Sequence, residues 1–232
     1  MYDLLIRAYR NDDNDHVLAE VKAAYDAATD EAYAQMVNVG IHQAYQRDLD
    51  AAAAREAEKE LRRKAAAVVG VTVTEPMLVQ DRENFVFNLW DLTPKQFTEV
   101  REAALVAYRG TPEQRQEFLT TGIVAAKKAA DERIAREAKE KEEAEKEAQR
   151  VREARTKALA VVNLEPAEGL VSPLFPEGSF VIKIAQAAPA NSWVQSDAYL
   201  AIMTERESPG ALRHFIFTGI HEAHAKDLAG TR

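Results

Sequence analysis

A chain of 232 residues and 25.8 kDa, with a formal charge of -8 and a pI near 5.3, has room for one or two ordinary domains. That acidity argues against nucleic acid or an anionic membrane as the main partner, since both call for a net basic face. The absence of cysteine removes disulfides and thiol catalysis. Aromatics at only 7% of an alanine-rich chain suit packed helices better than a sandwich or a deep cavity.

The elements are expected as follows. Residues 4–10 (Leu-Leu-Ile-Arg-Ala-Tyr-Arg) form a short buried helix. Asn11 to Asp15 break it and cap a helix from near His16, with Val17, Leu18, Val21, Ala24, Tyr25 and Ala28 on one face. Asp12, Asp13 and Asp15 lack the glycine and distal glutamate of a calcium loop and read as a solvated turn. After Thr29-Asp30 a second helix carries Tyr33, Met36, Val37 and Ile41. Ala44 to Val68 is a long solvated helix of alanine and charge, ended by Gly70. An irregular connection follows to about Glu83, and Phe85 to Leu92 is a helical turn or two.

Thr93-Pro94 is expected to cap the Val100–Tyr108 helix, and Gly110-Thr111-Pro112 repeats the device. The next helix runs to about Val162. Its latter part carries Glu137–Lys141, Glu142–Lys146 and Glu153–Lys157 pairs and a stripe of Ala144, Ala148, Val151, Ala158 and Val162. That stripe fits an alanine-type antiparallel seam, with the Ala44–Val68 helix as its candidate partner. Residues 163–179 hold prolines and glycines and read as a linker. Phe180-Val-Ile-Lys-Ile184 matches Phe85-Val-Phe-Asn-Leu89, and Pro189 to Ser192 cap a helix from Trp193 to Met203. Alternation typical of a strand is confined to Val71–Thr74, so the fold is expected to be all-α.

One phrase is written three times. Met36-Val37, Phe118-Leu119 and Phe215-Ile216 each precede a glycine (Gly40, Gly122, Gly219) by four and three residues, and Ile-x-x-Ala follows directly, ending at Ala44, Ala126 and Ala223. Repetition of this kind points to helical repeats, solenoid-like or linked by coiled coil. The units are residues 1–68, 85–162 and 180–232, separated by a connection at 69–84 and the linker at 163–179. A glycine inside each helical pattern suggests a close helix crossing that admits no Cβ. The third copy ends soon after its phrase, which suggests a piece of a longer repeat protein.

The second unit resembles the ALF repeat of secreted actinobacterial proteins. The likeness lies in Val100-Arg-Glu-Ala-Ala-Leu, Gly110-Thr-Pro-Glu, Phe118-Leu-x-x-Gly122 and Ala126 through Ala130-Asp131-Glu-Arg. Copy one lacks the Gly-Thr-Pro turn, and copy three has Ser-Pro-Gly with two extra residues. The resemblance implies a secreted, non-catalytic helical scaffold without cofactor. In that family such repeats dock accessory subunits, including in umbrella-like antibacterial toxin particles, and long helices build a stalk. No run approaches the roughly 20 apolar residues of a membrane span. Met1-Tyr-Asp-Leu is no signal peptide, so an export signal is expected upstream.

Among candidate sites, His221-Glu222-Ala-His224 has its histidines at i,i+3 instead of the i,i+4 of a zinc helix, and no metal site is expected there. Phe118 and Phe215 read as core. Trp90 and Phe217 are polar or small in the other copies, so they and Trp193 are the candidate protein-binding residues. The leading expectation is a scaffold that docks protein subunits or peptides between its repeats. One alternative is a metal-dependent hydrolase using His214, His221, Glu222 and His224. The other is a self-associating coiled coil.

Overall fold

The computed structural model describes residues 14–230, and among them every regular element is a helix. The expected helix at residues 4–10, and Asp12 and Asp13, lie outside the described residues; Asp15 is exposed in the first turn of a helix. The chain divides into two compact units, Met1–Ile134 and Ala135–Arg232.

In the first unit, α1 (Asp15–Ala27) buries Val17, Val21 and Ala24 and ends on left-handed Ala28. Tyr25, expected on the same face, is exposed. Thr29 accepts the Ala32 N–H and caps α2 (Asp30–Gln35), which passes through a π turn, Met36–Gly40, into α3 (Ile41–Val68). Gly70, at φ 71°, closes α3: its N–H reaches Ala67 O, and the Val71 N–H reaches Ala66 O at 3.0 Å. Then come α4 (Glu75–Val79), α5 (Arg82–Leu92, capped by Asp81), α6 (Thr98–Arg109) and α7 (Pro112–Glu117). Thr111 caps α7 in a full capping box with Gln114, as the Gly-Thr-Pro sequence leads one to expect. A second π turn, Phe118–Gly122, leads into α8 (Ile123–Val161).

Thr93 does not cap α6. It is buried, its hydroxyl donates to Leu89 O, and it ends α5, while α6 starts at Thr98 after a turn closed by Phe97 N–H to Pro94 O. The hydroxyl shares the Leu89 carbonyl, in the last turn of α5, with the Thr93 N–H.

The main core of this unit draws on the end of α3 (Ala65, Ala66, Val69), on Phe85, Val86 and Leu89, on Val100 and Ala104, and on Phe118, Leu119 and Ile123. Residues 69–84 are therefore more than a connection: Leu78 of α4 is buried.

The second unit is helical as well. Its core begins at Ala154, Ala158 and Leu159 of α8 and at Val162 just past its end, where Asn163 stands at φ 58° and the Leu164 N–H reaches Leu159 O. After α9 (Glu168–Val171) come α10 (Glu177–Ala187), α11 (Trp193–Thr204, capped by Ser192) and α12 (Ala211–His214). A third π turn, Phe215–Gly219, opens α13 (Ile220–Ala229). The stretch 163–179 is no free linker, because Val171 is buried in this core.

The seam expected along α8 is also corrected. Residues 135–146 are all exposed, Ala144 among them, and burial of the stripe starts only at Val151. Alanine presents too little apolar area there to offset covering its charged neighbours. Of the pairs expected along this helix, Glu142–Lys146 is formed. Lys139–Glu143 and Lys141–Glu145, which run in the opposite polarity, stand at 3.8 and 3.9 Å.

The repeated phrase is the π turn each time. Ile41, Ile123 and Ile220 donate their N–H to Met36 O, Phe118 O and Phe215 O, five residues back. In a regular α-helix residues five apart point about 140° from each other. The wider π turn closes that angle, and both ends of the pair Phe118 and Ile123, or Phe215 and Ile220, are buried. The glycines do not share one close crossing. A Cβ on Gly40 would press on the Glu20 side chain of α1, whereas at Gly122 and Gly219 the nearest atoms belong to the same helix, the Phe118 ring at 3.4 Å and the Phe215 ring at 3.3 Å.

Candidate functional site

Trp90 sits on α5, partly buried against the first unit's main core. The Phe87 ring lies 5.4 Å from it at 37°, and Phe87, 40% exposed, stands a further 5.4 Å from the Tyr108 ring. Arg101 of α6 closes the row, with its guanidinium carbon 4.9 Å from the Trp90 ring centre. Its Nη1 donates to the carbonyls of Trp90 (2.7 Å) and Thr93 (3.0 Å), which fixes the cation where it stacks.

Phe217, expected at an exposed or groove position, is half-buried and packs against the second unit's core. Arg213 lies over it at 4.9 Å and binds Glu177 at 3.1 Å and Glu147. Trp193 opens α11 at the mouth of a groove of about 460 Å³ that also holds Ser192, His224 and Asp227. Lys226 stands over the Trp193 ring at 5.1 Å. Each of the three aromatics thus has a cation on one face. Trp90 belongs to the first unit, and within the second unit Phe217 does not line the Trp193 groove.

The histidines are dispersed too. His214 and Glu222 line a groove of about 350 Å³ with Asp197, His224 lines the larger groove, and His221 is exposed. Among the described residues no group of three or more His, Asp or Glu side chains is placed to hold a metal ion.

Two pairs of residues passed unnoticed in the sequence. Asp48 accepts the N–H groups of His16 (2.9 Å) and Val17 (3.0 Å), capping α1 from α3, and its Oδ1 lies 2.7 Å from His16 Nδ1. This, and no side chain from residue 14, serves the start of α1. Asp227 does the same for α11, accepting from Trp193 (2.7 Å) and Val194 (3.2 Å). Burial pushes the Asp48 carboxyl up, but the two N–H donors and His16 outweigh it and hold it below its ordinary value. The signal was present: both follow the phrase glycine by eight, in Gly-Ile-His-x-Ala-x-x-(Arg/Lys)-Asp-Leu.

The second pair is Arg62 and Arg155, both buried. Arg62 donates to Leu78 O (2.8 Å) and Gln80 O (2.5 Å) and stacks on Phe85 at 5.3 Å. Arg155 donates to Ser172 O (2.5 Å) and Phe175 O (2.8 Å) and stacks on Phe180 at 5.0 Å. Each arginine fastens the end of a long helix to the loop that follows it. In sequence they vanish among exposed cations.

Compared with known families, curated proteins and solved structures, the chain matches none.

Proposed function

We propose that the chain is a non-catalytic helical repeat module that docks partner proteins, part of a larger exported bacterial scaffold. The observation that carries this reading is the recurrence of one π turn with one hydrogen bond, Ile N–H to the large apolar residue five before, at all three copies of the phrase. The arginine clasp supports it, since it recurs with its aromatic ring at the end of α3 and late in α8. On this reading each unit starts in the helix that closes the previous one, so the long charged helices belong to the array. Arrays of this kind present extended binding surfaces to protein partners. The antibacterial toxin-complex setting comes from the ALF resemblance and is part of the proposal.

The docking surface assigned here is the Phe87–Trp90–Tyr108 row, three rings in contact with one edge open to solvent. The test is a pull-down from the culture medium of the source organism, read by mass spectrometry, with a Phe87→Ala/Trp90→Ala chain alongside. Stoichiometric secreted partners, lost with the double variant, are expected. Partners retained by the variant would move the surface elsewhere, and recovery of none would overturn the docking reading.

A further inference from the structure

We propose that the Phe87–Trp90–Tyr108 row receives a proline-rich segment of a partner protein in the extended polyproline conformation. The inference rests on the docking reading and adds to it the partner's chemistry. Phe87 is exposed, Trp90 and Tyr108 are half-buried, and the ring centres step by 5.4 Å at tilts of 37° and 50°. Rings so tilted do not close flat on one another, and apolar ring surface stays open along the row. The hydrogen bonding around it sets the row apart from an ordinary apolar patch. Among the described residues the Trp90 indole N–H and the Tyr108 hydroxyl have no hydrogen-bond partner, and neither is buried. Arg101 uses Nη1 on the carbonyls of Trp90, Asp91 and Thr93, while its Nη2 and Nε have no acceptor among the described residues. The row therefore offers ring surface and hydrogen-bond donors side by side.

The occupant has to complement both. An apolar side chain alone would cover the rings and strip water from the donors without replacing it. An α-helix has its carbonyls taken by its own N–H groups. A β-strand brings as many N–H donors as acceptors. A polyproline segment has no internal hydrogen bonds and no N–H at its prolines, so it presents apolar rings and bare carbonyls together. Its conformation is also set before it binds, which lowers the ordering cost of docking on an aromatic surface.

The test is fluorescence anisotropy of labelled decaproline titrated with the full chain. Saturable binding that added salt leaves nearly unchanged is expected, since no ion pair forms. Phe87→Ala should weaken binding at least tenfold with its far-UV circular dichroism unchanged. Tyr108→Phe, which removes one oxygen and keeps the ring, should weaken it about fivefold, the loss of one hydrogen bond. That variant keeps the test decisive if Phe87→Ala loses helix. Equal affinity in the wild type and in either folded variant would overturn the proposal. So would the absence of saturable binding by the wild type, or equal binding of a glycine–serine peptide of the same length. Culture-medium partners that Phe87→Ala/Trp90→Ala loses but decaproline does not displace would overturn the proline-rich occupant alone; recovery of no partner would overturn the broader reading.

Discussion

Arg62 and Arg155 do the same work with different electrostatics. Both donate to carbonyls of the segment that follows their helix and stack on the first phenylalanine of α5 or α10. Glu58, one turn earlier on α3, lies 3.1 Å from Arg62 and also holds Arg82. One turn before Arg155 stands Val151, which is buried. Arg155 is 1% exposed, its Nε has no hydrogen-bond partner, and burial pulls its guanidinium below the usual value with only partial relief from the Glu177 charge. The comparison teaches that the clasp depends on carbonyls at the end of a helix and its loop, and that a neighbouring carboxylate is optional.

The two units can be compared because each has one tryptophan, Trp90 or Trp193. Chains keeping one tryptophan each, the other changed to phenylalanine, report the units separately during urea unfolding. Arg155→Ala is expected to cost about 3–5 kcal/mol in the Trp193 transition, since it strands several carbonyls in the core and opens a cavity over Phe180. Arg62→Ala should cost less in the Trp90 transition, about 2–3 kcal/mol, because Glu58 keeps Arg82 and the site is nearer solvent. Equal losses in both would mean that Glu58 contributes nothing to the difference.

The helix N-termini differ in a smaller way. Asp48 and Asp227 cap α1 and α11, whereas the residue eight after Gly122 is buried Ala130, and Arg133 instead ties Glu99 at 2.7 Å to the start of α6. Asp48→Ala and Asp227→Ala are each expected to cost about 1–2 kcal/mol. Asp48 also makes stability depend on pH. Its folded-state pKa lies below the unfolded value, so the unfolded chain takes up the proton first on acidification. Its contribution is therefore complete above the ordinary aspartate range near 4 and is lost as pH falls through the folded value. Glu58 and Glu99, held down chiefly by hydrogen bonds from Arg82 and Arg133, act in the same direction. Thermal unfolding of wild type and Asp48→Asn between pH 6 and 2, followed by circular dichroism, should show the gap between them closing on the acid side. A gap that stays constant would remove Asp48 from the pH response.

The all-helical fold was legible because the apolar spacing of three to four residues persists through nearly every segment, and the expected caps at Thr111 and Ser192 accept the N–H groups of Gln114 and Gln195. Phe118 and Phe215 were readable as core for the same reason. The π turns were not, since a period of 3.6 continues on either side of a single inserted residue; only two large apolar groups five apart, joined by a glycine, betray them. Arg155 looks like any other charge of an exposed helix until the loop at residues 170–175 folds over it. The aromatic candidates were placed on the right elements, but the cations that stack on them come from other helices or the preceding turn, and a residue-by-residue alignment of the copies does not show that.

The phrase glycines set the smallest effect and the sharpest disagreement with the sequence reading. A close crossing predicts that every glycine-to-alanine change is costly. The structure separates them. At Gly122 a methyl group would meet the Phe118 ring at 3.4 Å, an ordinary contact, so Gly122→Ala is expected to stabilise the Trp90 transition by about 0.5–1 kcal/mol through the higher helix propensity of alanine. At Gly219 the Phe215 ring stands at 3.3 Å and must yield by a few tenths of an ångström, so the gain should be smaller. At Gly40 the Glu20 side chain has to swing away, and Gly40→Ala should be neutral to slightly destabilising. The three chains melted side by side decide the matter: an ordered series from gain to loss supports the π-turn account, and a uniform loss of more than about 1 kcal/mol would restore the close crossing.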